Sequence, residues 1–146
     1  MIISRTPFRI SFFGGGTDYP VWYNNHYGQV ISATINKYCT ASVIMRDDDE
    51  IHIKSKDLNL VYSANSVSEI EYGDKLDLIK AAIKIMRPEY GFNLETYAEF
   101  EPGTGLGGSS AVVVAVIGAL NYFRNERQLD IYQIADLAYQ IERIEM

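Results

Sequence analysis

The feature that most constrains this chain is a junction. Glu101-Pro-Gly-Thr-Gly-Leu-Gly-Gly-Ser-Ser110 runs directly into the apolar stretch Ala111 to Phe123. Four glycines within residues 103–108 carry a backbone-entropy cost that a simple turn does not require. The valines at 112, 113, 114 and 116 would suit a buried strand, but the stretch is too long for an ordinary one, and Ser109 and Ser110 stand where helix caps belong. A buried helix is predicted. It is apolar nearly all round, so it should pass through the centre of the domain with its first turn held beneath the glycine loop.

In outline such a junction is an anion cradle. Glycines let the backbone approach a ligand closely, and a helix start offers unpaired N–H groups and the positive end of its dipole. The two serine hydroxyls add donors for phosphate oxygens, or an oxygen ligand for a hard cation such as Mg²⁺. A nucleotide phosphate is the expected guest. Three other readings compete with it. The loop could be a flexible, well-capped turn. A P-loop would need a lysine after the last glycine, where this chain has Ser109. Gly103, Gly105 and Gly108 fit the G-x-G-x-x-G pattern of a dinucleotide fold, but that fold also needs a second strand ending in an acidic residue about twenty positions on. Residues 121–130 are polar and turn-like instead.

The rest of the chain reads as one α+β unit, a mixed sheet packed on helices. Its 146 residues, nearly half of them apolar, can bury one core and are too few for two ordinary domains. Strands are expected at Ile2 to Ser4 and at Phe8 to Phe13, the second with Phe8, Ile10 and Phe12 on one face. A long strand should run from Val30 to Met45. The acidic run Asp47 to Glu50 is then a solvated hairpin turn, with Ile51 to Ser55 as the return strand and Leu58 to Tyr62 as a further one. Leu76, Ile79, Ile83 and Met86 recur at helical spacing, Phe92 to Phe100 alternates as a strand, and Asp130 with Gln133 opens a last helix with a capping box.

At about 100° per residue, Glu142 falls roughly 20° around that helix from Ile131, beside Ile134, Ala135 and Ala138. A carboxylate on a core face needs a partner. On the residues alone, an arginine or solvent could serve Glu142, Arg9 could be a surface strand residue, and Asp18 could cap a helix before Pro20. Glu145 shares the face of Glu142 and is expected to meet water.

A net charge of −6 with no Lys/Arg cluster argues against nucleic acid and anionic membrane as partners. The single cysteine, Cys39, cannot form an internal disulfide, and no signal segment or long apolar span opens the chain. A reducing compartment, the cytoplasm, is expected. The last segment stops at Met146 without glycine, proline or polar tail, so the chain reads as a fragment cut within an element.

Three ordered motifs carry a family resemblance. Pro102-Gly-Thr-Gly-Leu-Gly-Gly-Ser-Ser-Ala111 resembles the P-x-x-x-G-L-G-S-S-A phosphate motif of the GHMP kinases, with one extra glycine. Thr6-Pro-Phe-Arg-Ile-Ser-Phe-Phe-Gly-Gly-Gly-Thr-Asp-Tyr19 resembles the family's N-terminal motif, in which a P-x-R strand leads into a glycine turn and an aspartate. Ala138-Tyr-Gln-Ile-Glu-Arg143 is similar to the segment that delivers a Mg²⁺-binding glutamate. The Gly-Gly-Gly-Thr-Asp18 turn departs from the G-E-H-T-D form of galactokinase-like members. With the doubled glycine at 107–108, it resembles the branch that phosphorylates heptose 7-phosphates.

The resemblance implies the ribosomal protein S5 domain 2-like N-terminal domain of such kinases over residues 1–146, ending before a catalytic aspartate and a ferredoxin-like C-terminal domain. It implies ATP and Mg²⁺ as cofactors. Pro102, Gly103, Gly105, Leu106, Gly107, Gly108, Ser109 and Ser110 would hold ATP phosphates, and Ser110 and Glu142 the Mg²⁺. Arg9 would act catalytically by steadying charge near the transferring phosphoryl group, and Gly16, Thr17 and Asp18 would bind the sugar. The implied reaction is phosphorylation of a sugar hydroxyl, foremost the anomeric hydroxyl of D-glycero-D-manno-heptose 7-phosphate. A fucose- or galactose-type sugar, a dinucleotide enzyme and a non-catalytic sugar or nucleotide sensor stand as alternatives, and a homodimer is left open. By itself the chain would catalyse little.

Overall fold

In the computed structural model, residues 1–123 and 128–145 are described. Their order is β1 (Ile2–Phe13), α1 (Pro20–Tyr23), β2 (Ile31–Met45), β3 (Ile51–Ser55), β4 (Leu60–Ala64), α2 (Asp77–Met86), β5 (Phe92–Ala98), α3 (Gly108–Asn121) and α4 (Ile131–Gln140). A 3-10 turn at Val67–Glu69 precedes α2, and a π-helical turn, Ile141–Glu145, continues α4. The strands form one sheet in the order β1-β2-β5-β3-β4, antiparallel throughout except for the parallel pair β5 and β3. Mixed sheet and helices agree with the α+β expectation.

The predicted hairpin between β2 and β3 does not form. β5 occupies the place between them, pairing Met45 with Phe92 on one side and Ile51 with Phe92 on the other. In this place its alternate residues Phe92, Leu94 and Thr96 are each 1% exposed, turned into the core, while Asn93 and Tyr97 face out. The acidic turn serves as its socket: Gly91 N donates to Asp48 O at 2.9 Å, and Phe92 N to Glu50 O at 3.0 Å. The acids do not simply diverge into water, since Arg46 clasps Asp48 at 2.6 Å and Glu50 at 2.9 Å.

β1 is one strand where two are predicted. Pro7 lies in an edge strand, where proline is tolerated, and the register shifts between Pro7 and Arg9. Of the three apolar residues on its predicted face only Phe8 is buried. The helical layer covers the first half of β1, and beyond it Ile10, Phe12 and Phe13 stand exposed.

α3 runs across the sheet beneath that layer, with Val113, Ala115, Val116, Ile117 and Ala119 fully buried against β1, β2 and α2. Each large apolar side chain so buried contributes about 1.5–3 kcal/mol. α2 is the predicted amphipathic helix, closed by left-handed Arg87 at φ 44° ahead of Pro88. It carries one surprise: Lys80 is 1% exposed, bonded to Asp74 at 2.7 Å and set 4.0 Å over the Tyr62 ring.

α4 begins with the predicted capping box, Asp130 accepting from Tyr132 N and Gln133 N. Its inner stripe differs from the predicted one. Ile134, Leu137, Ala138 and Ile141 pack inward, while Ile131 is 75% exposed and Ala135 is exposed. The 100° extrapolation also fails past Gln140, where the helix widens to π geometry. Asn121 at the end of α3 accepts from Leu129 N at 2.8 Å and donates to Leu129 O at 3.0 Å, pinning the approach to α4. Among the described residues no helix is long and apolar enough to cross a membrane.

Candidate active site

Gly103, Gly105 and Gly107 all take left-handed backbone, at φ 88°, 74° and 78°. Gly107 is the N-cap of α3, and its carbonyl receives the helix's opening bond from Ala111 N at 2.9 Å. The expectation that Ser109 and Ser110 cap the helix is therefore corrected: both lie inside its first turn, because a left-handed glycine makes the cap with backbone alone. That frees their hydroxyls. Ser110 Oγ donates to Glu142 Oε2 at 2.5 Å, so the half-buried glutamate has found its partner in a serine rather than an arginine or solvent. The side chain of Glu145 lies outside the described residues.

Arg9 is interlocked with the same loop. Its backbone N donates to Leu106 O at 3.0 Å and its Nη1 to Gly105 O at 3.0 Å. A Cβ added at Gly107 would lie 2.9 Å from Nη1. Arg9 and the loop open onto a cleft of about 590 Å³, within the usual range for a small-molecule site. Pro102, Gly103, Gly105, Gly107, Gly108 and Ser109 line one side, and Leu58, Leu78 and Phe100 give it apolar surface. Ser55, Asp57 and Lys75 add polar groups that no motif announced. Ser55 and Asp57 reach the cleft because β3 and β5 run parallel and end beside the loop, and Lys75 reaches it from the turn ahead of α2. A second cleft of about 570 Å³ near Ser66 and Arg87 contains none of the candidate site residues.

The turn at residues 14–18 stands apart from the lining of this cleft. Gly14, at φ 82°, could not be another residue, since a Cβ there would meet Gln29 O at 1.7 Å. Thr17 Oγ1 donates to Gly14 O at 2.7 Å and accepts from Gln29 N at 3.1 Å, so this hydroxyl is spent on the turn itself. Asp18 Oδ1 accepts from Gly16 N at 2.9 Å and caps nothing; the N-cap of α1 is Tyr19. Among the described residues no bond joins Arg9 to Asp18. Arg9 serves the loop, whereas Asp18 exerts its charge on Tyr139 and Arg143 of the last helical segment.

For Mg²⁺ the donor set fits. A hydroxyl and a carboxylate, both hard oxygen ligands, already meet at the helix start under the loop. Among the described residues no three His, Cys, Asp or Glu side chains are placed to hold a metal alone. Mg²⁺ commonly takes one or two protein oxygens and completes its shell with phosphate and water.

A glycine loop with a buried helix behind it, in a mixed sheet of this order, is the N-terminal architecture of a family of small-molecule kinases. Residues 77–145 match the GHMP kinases N terminal domain, and the chain belongs to that family. It is 37% identical, over 97% of its length, to D-glycero-alpha-D-manno-heptose 7-phosphate kinase of Campylobacter jejuni. It is 28% identical, over 97% of its length, to mevalonate kinase of Methanocaldococcus jannaschii. Among solved structures, a D-glycero-D-manno-heptose 1-phosphate kinase from Bacteroides thetaiotaomicron superposes with a TM-score of 0.87 at 30% identity, covering 99% of this chain and 49% of that one. The chain spans 43% and 46% of the two curated relatives, less than half of each.

Proposed function

We propose that the protein is an ATP-dependent kinase that phosphorylates a sugar hydroxyl, with the anomeric hydroxyl of D-glycero-D-manno-heptose 7-phosphate as the preferred acceptor. The observation that carries this is the 2.5 Å contact of Ser110 with Glu142 at the helix start beneath the glycine loop. A hydroxyl and a carboxylate together at a helix start behind a glycine loop support a hard-cation site next to nucleotide phosphates.

In this reading Pro102, Gly103, Gly105, Leu106, Gly107, Gly108, Ser109 and Ser110 shape and hold the phosphate site, with the exposed N–H groups of the first turn as donors. Leu58, Leu78 and Phe100 supply apolar surface for the base, and Ser55, Asp57 and Lys75 its polar contacts. Arg9, braced on Gly105 O, stands ready to move a hydrogen bond to a phosphoryl oxygen as charge grows there. Ser110 and Glu142 hold Mg²⁺, which when bound neutralises phosphate charge. The Asp18 carboxylate accepts hydrogen bonds from sugar hydroxyls, while Gly16 and Thr17 fix the turn that presents it. A cytoplasmic setting belongs to the same proposal, in keeping with the free thiol of Cys39. The heptose rests on the Campylobacter jejuni and Bacteroides thetaiotaomicron kinases.

The test is made on the protein expressed from its complete gene. Calorimetry should show Mg·ATP binding that Glu142→Gln weakens, and a coupled ATPase assay should show turnover with heptose 7-phosphate above fucose, galactose and mevalonate. Binding of NAD in place of Mg·ATP would sink the kinase reading. Turnover confined to another acceptor would sink the heptose.

A further inference from the structure

Four side chains beside the turn proposed to bind the sugar have no part in that reading. Tyr19 and Tyr23 follow Asp18 in the chain, and Tyr139 and Arg143 flank Glu142. They meet in pairs. The Arg143 guanidinium carbon lies 4.0 Å from the centre of the Tyr19 ring, and the Tyr23 and Tyr139 hydroxyls are 2.8 Å apart. Tyr139 and Arg143 are four residues apart, on neighbouring turns of one helical segment, so the two contacts clasp the segment after Asp18 onto it at two points. The guanidinium is thereby held in place before any ligand arrives.

Its charge has no partner of opposite sign in contact. Arg143 is exposed, and among the described side chains it forms no ion pair, although Asp18 and Glu142 both act on it from a distance. Tyr19 takes one face of the guanidinium with its ring and one hydrogen bond with its hydroxyl, and the N–H groups that remain can meet the oxygens of a phosphate. A plain sugar offers those groups nothing that water does not. An anionic group would be drawn to it, and to this spot ahead of its surroundings, where Asp18 and Glu142 are both negative.

We propose that Arg143, backed by Tyr19, is a phosphate-binding subsite that reads the phosphate already present on the acceptor, so that the site prefers a sugar phosphate to the same sugar without one. This deepens the sugar-kinase reading and rests on it. The placement suits a ligand bound at both ends: Asp18 adjoins Tyr19 and Glu142 adjoins Arg143, so the hydroxyl-binding and metal-binding carboxylates both border the subsite.

The experiment measures binding, so it does not depend on turnover. Calorimetry compares D-glycero-D-manno-heptose 7-phosphate with unphosphorylated D-glycero-D-manno-heptose on the protein from its complete gene and on Arg143→Met, Arg143→Lys and Tyr19→Leu. The wild type should bind the phosphate ester about tenfold or more tightly than the free sugar, in line with a charge-assisted bidentate contact. Arg143→Met should bring that ratio near one, Arg143→Lys should restore part of it, and Tyr19→Leu should lower it. A wild-type ratio near one overturns the proposal, as does a ratio unchanged in Arg143→Met. Equal weakening of both ligands also overturns it, because the clasp would then only hold the turn. Should Arg143→Met fail to fold, as a thermal melt would reveal, the ratio in Arg143→Lys decides, and no change there counts against the subsite. An Arg143-dependent ratio without ATP turnover upholds the subsite and overturns the kinase reading alone.

Discussion

Gly107 meets two demands that no other residue type could satisfy together. It needs left-handed backbone to start α3, and it needs bare space because Arg9 fills the volume a side chain would take. Gly107→Ala is expected to cost about 1–3 kcal/mol in stability, the range for a non-glycine residue in strained backbone. It should also abolish measurable Mg·ATP binding by dislodging Arg9. A thermal melt and calorimetry on one preparation check both. An alanine protein that melts normally and binds Mg·ATP would show that Arg9 yields without consequence.

This residue also marks how far composition can be read. Crowded glycines and paired serines announced an anion cradle, and Glu142 announced a need for a partner, because those signals are local. The serines were misplaced as caps since the sequence does not say which glycine will turn left-handed. Ser55, Asp57 and Lys75 had no signal at all, because the place of the first two depends on which strands lie side by side and that of Lys75 on where α2 docks.

At the scale of elements, α2 is more than a support. Lys80 crosses from its buried face to Asp74 at 2.7 Å and Asp77 at 3.6 Å, over the ring of Tyr62, whose hydroxyl accepts from Glu71 N at 2.8 Å. One buried cation thus ties α2, β4 and the loop that carries Lys75 to the cleft. Lys80→Ala should cost about 2–4 kcal/mol, as other large-to-small core changes do. Lys80→Met, which refills the space without a charge to bury, should cost less.

The hydrogen bond from Lys80 chiefly holds the Asp74 carboxyl below its ordinary value. Its folded value is therefore lower than the unfolded one, about 3.9. The contribution is complete above that pH and is lost as pH falls through the folded value. Melting temperatures taken from pH 6 down to pH 2 should drop less steeply in Lys80→Met than in the wild type over the acid range. Equal slopes would remove Asp74 from the account. Periodicity revealed α2 well, with Lys80 hidden in it, since a lysine at an inward position looks in sequence like a break in the stripe. The β2–β3 hairpin was misread for a related reason: nearness in sequence favours it, and only the pairing of β5 along both of its edges overrules it.

For the molecule as a whole, class and family were legible because motifs and periodicities agree along the entire chain, whereas the strand order was not. One measurement reports on that order as assembled. Cys39 sits in β2 between Thr6 of β1 and Ala98 of β5, and burial, with a smaller contribution from Asp57, pushes its thiol up to about 12. At neutral pH the native protein should resist a thiol-specific disulfide reagent, with labelling as slow as unfolding and fast only in denaturant. Rapid native labelling would mean that β2 is not covered there.

The seat of β5 between β2 and β3 bears on how the chain is made. During synthesis β2 and β3 leave the ribosome first, each with a row of backbone donors and acceptors that β5 later fills. Until Ala98 emerges, the growing chain carries two open edges that could pair with each other as the hairpin nearness favours, or with a neighbouring polypeptide. Correct assembly therefore waits on the second half of the sheet, and a pause in translation before residue 92 lengthens the interval in which a chaperone, rather than β5, must cover those edges.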